Sequence, residues 1–179
     1  MTESRAGPTE EALTGRATRG DGDAFTRLYD IYVERVYRHI SYRVKVVADV
    51  EDLTQEVFMR AWRSIRRYKP GKRPFLAWLY TIAHNLVIDY YRKRAREPLV
   101  TLEESPQATS GHEDTNIESF IDLDVVRRML ARLPADQQQV LMLRFVEGLD
   151  YTDVAAALGK SQGAVRVIQF RALRRLRQR

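Results

Sequence analysis

The run Asp150-Tyr-Thr-Asp-Val-Ala-Ala-Ala-Leu-Gly-Lys-Ser-Gln-Gly-Ala-Val leaves this chain few ways to fold. Asp150 can cap a helix, and Asp153 suits the positive N-terminal end of that helix. Ala155 is small where two helices must cross closely, and Gly159, four residues later, can take the positive φ of a tight turn. Val165, six further on, and Ile168 would lock a second helix onto the first. An ordinary helical hairpin with a glycine stop shares part of this pattern. Small residue, glycine and β-branched residue at this combined spacing are what a DNA-binding helix-turn-helix requires.

On a helical wheel of about 100° per residue, Val165, Ile168, Ala172 and Leu176 share one face. Arg166, Val167, Phe170, Arg171 and Arg174 share the other. A merely solvated face has no use for Val167 and Phe170. A helix in the major groove uses both kinds, arginine for guanine edges or phosphates and apolar groups for thymine methyls. These five are therefore the candidate base-reading residues. Lys160, Arg175, Arg177 and Arg179 add backbone attraction without sequence preference.

The rest of the chain also follows a helical period. Phe25, Leu28, Tyr29, Tyr32, Val36 and Ile40 predict a first helix, with Asp23 as its cap. A second runs from about Asp49 to Tyr68, with Leu53, Val57, Ala61, Trp62 and Ile65 on its inner face. Residues 69–74, with Pro70, Gly71 and Pro74, must be a loop. A third helix follows, striped by Phe75, Leu79, Ile82, Ala83, Leu86 and Tyr90. Past residue 124, Val126, Met129, Leu130 and Leu133 form one stripe, and Pro134 can open a helix carrying Val140, Leu141, Leu143 and Phe145 that stops at Gly148. No stretch alternates with a period of two long enough for a strand. The expected fold is all-α, two small helical domains over 21–96 and 124–179. Residues 1–20 read as a disordered tail and 97–123 as a flexible acidic linker, with a mean span of about 30 Å and a limit of about 90 Å.

Charge follows the same division. From Arg60 to Arg96 there is a single acid, Asp89, and from Lys160 onward there is none, whereas from Glu97 to Asp124 there is no Lys or Arg. Two basic modules joined by an acidic connector predict two nucleic-acid contacts, in keeping with the net charge of +6. With no cysteine, disulfides, thiolate metal sites and cysteine nucleophiles are excluded. His39, His84 and His112 lack ligand spacing, and Pro70-Gly71-Lys72 lacks the glycines of a phosphate loop. The expectation is a cytoplasmic protein that is not an enzyme, with no catalytic residues, metal or cofactor.

Three stretches resemble the sigma-70 family of RNA polymerase sigma factors. Ala48-Asp-Val-Glu-Asp-Leu-Thr-Gln-Glu-Val-Phe-Met-Arg-Ala-Trp resembles the family helix that grips the polymerase clamp coiled coil. Phe75-Leu-Ala-Trp-Leu-Tyr-Thr-Ile-Ala-His-Asn-Leu-Val-Ile-Asp-Tyr-Tyr-Arg-Lys-Arg resembles its promoter-melting helix, and Leu133-Pro134 with the helix-turn-helix resembles its domain 4. With no other sigma domains, the match is to the small extracytoplasmic-function (ECF) branch. The resemblance implies a factor that binds core RNA polymerase, at clamp and flap, and directs promoter recognition, melting and initiation. It implies core contacts at Asp52, Gln55, Glu56 and Phe58, with Leu53 and Trp62 in the core. It places Lys69, Lys72, Arg73 and Asn85 on the displaced strand of the −10 element, with Arg92, Lys93, Arg94 and Arg96 on phosphates. Trp78, Tyr80, Tyr90 and Tyr91 are candidates for base stacking. Arg166, Val167, Phe170, Arg171 and Arg174 fall to the −35 element, and an anti-sigma factor is a possible further partner. Where family members commonly carry a Thr-Val-Lys-Ser-Arg type run, this chain has Ala164-Val-Arg-Val-Ile, which keeps the basic position at Arg166 and turns Ile168 inward. The alternative reading is a stand-alone helix-turn-helix regulator.

Overall fold

The computed structural model describes residues 9–96 and 123–178, which are helical with no strand among them. Four helices form the first module: α1 (Glu10–Thr18), α2 (Gly22–Ser41), α3 (Val47–Ser64) with a 3-10 turn (Ile65–Arg67), and α4 (Phe75–Arg94). The second contains α5 (Leu123–Ala131), α6 (Ala135–Leu141) with a π turn (Met142–Val146), α7 (Tyr151–Leu158) and α8 (Gln162–Arg177).

Helix α1 corrects the expectation of a tail through residue 20; residues 1–8 lie outside the described residues. Thr9 caps it, and Leu13 and Ala17, four apart, are its buried apolar residues. That stripe is too short to register as a period, with Gly15 between its two members. Glu10 gives the helix its purpose. Its carboxylate accepts from the Phe75 backbone N–H at 3.1 Å and from the Tyr32 hydroxyl. Pro74 precedes α4 and has no side chain to cap it, so a carboxylate from another helix serves the positive N-terminal end. The next cap is Asp21 rather than Asp23, accepting from Ala24 N–H at 3.0 Å.

Helices α2, α3 and α4 enclose a core of Leu28, Val36, Ile40, Val57, Phe75 and Leu79. Trp62, expected inside, is 40% exposed, though its ring meets Phe25 at 4.9 Å. Trp78 and Tyr80 are buried and unavailable to bases; Trp78 packs with Tyr68 and Phe75, and Tyr80 stacks on His39 at 4.2 Å.

The two modules pack against each other, and their apolar cores are continuous through Val140, Leu143, Val154 and Ala157. At the centre of the interface is Glu147, with a side chain 1% exposed. It accepts from His39 Nδ1 at 3.1 Å and from the Tyr80 hydroxyl, with the Arg35 guanidinium at 3.7 Å. Burial pushes this carboxyl up, but the His39 and Tyr80 bonds and the Arg35 charge together hold it below the ordinary value. Three further bonds reach backbone carbonyls: Thr81 Oγ1 to Ala157 O at 2.9 Å, Gln139 Nε2 to Tyr80 O at 3.3 Å and Arg127 Nε to Ser41 O at 2.7 Å.

Glu10→Ala strands a half-buried hydroxyl and the first N–H of α4, so stability should fall by about 1–3 kcal/mol in urea unfolding. Burial drives His39 below the ordinary imidazole value, more than its Glu147 bond raises it. His84 is lowered to about 4, by burial first and then by the Arg43 charge. Below about pH 6.5 the unfolded chain takes up protons that the folded imidazoles refuse. Stability should therefore fall as pH drops from 6.5 toward 4, and His84→Gln should remove about one proton from that dependence.

Candidate functional site

Three exposed surfaces carry the candidate residues. The first is on α3, where Asp52, Gln55 and Glu56 line a hollow of about 440 Å³ with Asp49, Leu53, Met59 and Tyr90. Their spacing is helical: Asp52, Gln55, Met59 and Trp62 advance by three, four and three residues along one face. Asp52, Gln55 and Met59 are exposed, while Glu56 is half-buried and ion-paired with Arg60 at 2.7 Å. Phe58 is the exception. It is 4% exposed, meets Tyr29 edge-on at 4.7 Å, and supports the face from beneath instead of lying on it. Asp49, Met59 and Tyr90 belong to the hollow and were missed, because only α4 packing beside α3 brings Tyr90 there. The Tyr90 hydroxyl donates to Asp49 at 2.6 Å, and burial with that bond raises it to about 12. Acids, an amide and exposed Met59 make a mixed surface suited to a protein partner.

The second surface is the loop at residues 69–74 with the outer side of α4. Tyr68, itself buried, donates to the Arg73 carbonyl at 2.7 Å and ties the loop across its base. Gly71 turns the tip at φ 78°, a conformation that favours glycine. Lys69 and Lys72 are exposed and Arg73 is half-buried. Asn85 is exposed as well, and Arg92, Lys93, Arg94 and Arg96 continue the basic surface at the end of α4. Asn85 stands ten residues past Phe75, about 15 Å along the helix axis. Loop and amide therefore suit different nucleotides along one strand. Tyr91 is exposed but tethered, its hydroxyl donating to the Arg43 carbonyl.

The third is the helix-turn-helix. Asp150 caps α7, accepting from Asp153 N–H at 2.8 Å, and Ser161 caps α8, accepting from Ala164 N–H at 3.1 Å. Between them Gly159 adopts φ 61°, the left-handed turn expected of it. Gln162 Nε2 donates to Thr152 Oγ1 at 3.1 Å and joins the two helix starts. Val165 and Ala172 are buried, with Ile168 and Leu176 partly so, as the wheel requires. Arg166, Val167, Phe170, Arg171 and Arg174 are all exposed, Phe170 at 66% and Val167 at 48%. Phe170 thus remains uncovered with both modules in place. Bare apolar side chains among arginines fit a groove lined with phosphates and thymine methyls.

Residues 28–97 match the family model described as Sigma-70 region 2, and residues 129–178 match Sigma-70, region 4. The chain is 43% identical over 170 residues to the ECF RNA polymerase sigma factor BldN of Streptomyces coelicolor, covering 92% of this chain and 63% of that protein. It is 38% identical over 177 residues to the ECF RNA polymerase sigma factor SigD of Mycobacterium tuberculosis, covering 93% of this chain and 82% of the relative. Among solved structures it resembles CnrH in complex with the cytosolic domain of CnrY, with a TM-score of 0.68 and 27% identity, covering 93% of each chain. It also resembles the sigma factor RpoE in complex with the anti-sigma factor NepR from Bartonella quintana, with a TM-score of 0.66 and 26% identity, covering 86% of this chain and 94% of that one.

Stability measurements should separate support from surface on α3. Phe58→Ala should cost about 3–5 kcal/mol, as a core cavity does. Asp52→Ala and Gln55→Ala should each stay within about 0.5 kcal/mol of wild type.

Proposed function

Since this chain belongs to the sigma-70 family of RNA polymerase sigma factors, and to its ECF group, we propose that it binds core RNA polymerase and directs it to promoters. The observation that carries this reading is the presence of all three surfaces on one chain: a mixed face on α3, a basic loop and helix, and a helix-turn-helix with a bare reading face. A stand-alone regulator needs only the last. The chain acts in the cytoplasm with the polymerase; among the described residues no helix is long and apolar enough to cross a membrane.

Residue by residue, Asp52, Gln55 and Glu56, with Met59 beside them, form the contact to the clamp, and Phe58 holds their helix in place. The second module meets the flap. The loop bearing Lys69, Lys72 and Arg73 handles the displaced strand of the −10 element as the duplex opens. Asn85 meets a neighbouring nucleotide, and Arg92, Lys93, Arg94 and Arg96 follow phosphates. Arg166, Val167, Phe170, Arg171 and Arg174 read the −35 element. An anti-sigma factor is a further partner, as the complex of the similar sigma factor RpoE with the anti-sigma factor NepR suggests.

Engaging both elements requires the modules to part. The elements lie about 25 base pairs from each other, or about 85 Å at 3.4 Å per step. With Thr81 bonded to Ala157, the loop helix and the helix-turn-helix are neighbours. The clamp-contact face of α3 and the reading face of α8 stay exposed in this arrangement, so initial encounter with either partner is open. The residues between the modules reach about 90 Å at full extension.

The test is transcription in vitro with core polymerase on a randomised promoter library. Wild-type chain should select a paired −35 and −10 element, and no selection with normal binding to isolated duplex would favour the stand-alone regulator. Asp52→Ala with Gln55→Ala should weaken core binding about tenfold or more, a loss of at least about 1.4 kcal/mol, without changing the melting temperature.

A further inference from the structure

Tyr151, the first residue of α7, is in no candidate set above. Its half-buried ring packs against the apolar core that runs through both modules. Two guanidiniums lie against that ring, Arg144 with its Cζ at 4.2 Å from the centroid and Arg166 at 4.9 Å. The ring's negative face attracts cations, and both lie within the range where this attraction counts. Arg144 is also fixed from another side, donating to the Leu149 carbonyl in the turn before α7. Arg166 is exposed, and the Tyr151 ring is its contact among the described residues.

We propose that Tyr151 is a positioning residue for base reading, whose ring holds Arg166 in one orientation before DNA arrives. This rests on the reading of α8 given above. An exposed arginine samples many rotamers and loses that freedom when it fixes on a base edge. Against the ring, part of that loss is incurred in advance, and the direction of the fork is set by α7. The fork geometry matters because arginine distinguishes guanine through two parallel bonds. A displaced guanidinium still attracts phosphates but no longer matches O6 and N7 together. Tyr151 therefore contributes to specificity more than to affinity. The ring makes the contact, so the hydroxyl is dispensable.

The experiment selects from a library randomised across the −35 element, using holoenzyme with the full chain. Arg166→Ala should relax preference at one base position. Tyr151→Leu should relax the same position by about fivefold to tenfold, and adding it to Arg166→Ala should change nothing further. Tyr151→Phe should keep the wild-type preference. Phenylalanines of increasing fluorination at position 151 drain the ring's negative face while keeping its shape. They should weaken the preference stepwise at constant melting temperature, a readout independent of whether Tyr151→Leu folds. A flat fluorination series, a uniform loss across all sequences, or a Tyr151→Leu loss that adds to Arg166→Ala would overturn the positioning role and leave the reading of α8 standing. An unchanged preference in Arg166→Ala would bring down the reading of Arg166 itself, and the positioning role with it.

Discussion

A carboxylate deprived of water must find donors or give up its charge, and the arrangement of the modules turns on how Glu147 meets that demand. It lies between the π turn of α6 and the start of α7, where the chain enters the helix-turn-helix. Imidazole, phenol and guanidinium from α2 and α4 surround it. Apolar contact alone would let two helical faces slide by a side chain's width. A buried charge tolerates no such slip, because a missing donor leaves it unsolvated. His39 completes the arrangement as a neutral ring, donating through Nδ1 while Nε2 has no partner among the described residues. One carboxylate thus sets the position of the second module on the first.

Much of this was legible in the sequence, for identifiable reasons. The helix-turn-helix was plain because its constraints are local: a cap at Asp150, a left-handed glycine at 159 and an inward stripe from Val165 to Leu176. The loop at 69–74 was equally plain, since two prolines and a glycine forbid anything else. What escaped depended on partners far away in sequence. Helix α1 shows only two inward residues, and its role appears only when Glu10 reaches Phe75, 65 residues on. Trp78 and Tyr80 have the chemistry of base-stacking residues, but each is enclosed by neighbours from other segments. Phe58 shares a motif with surface residues, yet a helix turns by about 100° per residue and carries it inward. The role of Glu147 was invisible as well, since an acid beside a glycine stop reads as solvent-exposed turn.

The three surfaces differ in how firmly they are built. The α3 face rests on a full helix packed along both neighbours. The exposed face of α8 is fixed at its start by Ser161 and along its length by Val165 and Ala172. The loop is held mainly at its base, where the Tyr68 hydroxyl crosses to Arg73. A firm base beneath an exposed tip suits a contact made only as strands separate, whereas a face built along a whole helix suits one made on encounter.

The box of rings beneath that loop also makes the molecule report on itself optically. Trp78 sits among Tyr68 and Phe75, shielded from water, while Trp62 lies partly bare on the face shared by Gln55 and Met59. Indole emission moves to shorter wavelength as its surroundings dry, so Trp78 emits to the blue of Trp62. The redder emission belongs to the α3 surface and the bluer to the floor of the loop. Without any attached dye, one spectrum follows two surroundings within the first module, each toward its own end of the emission.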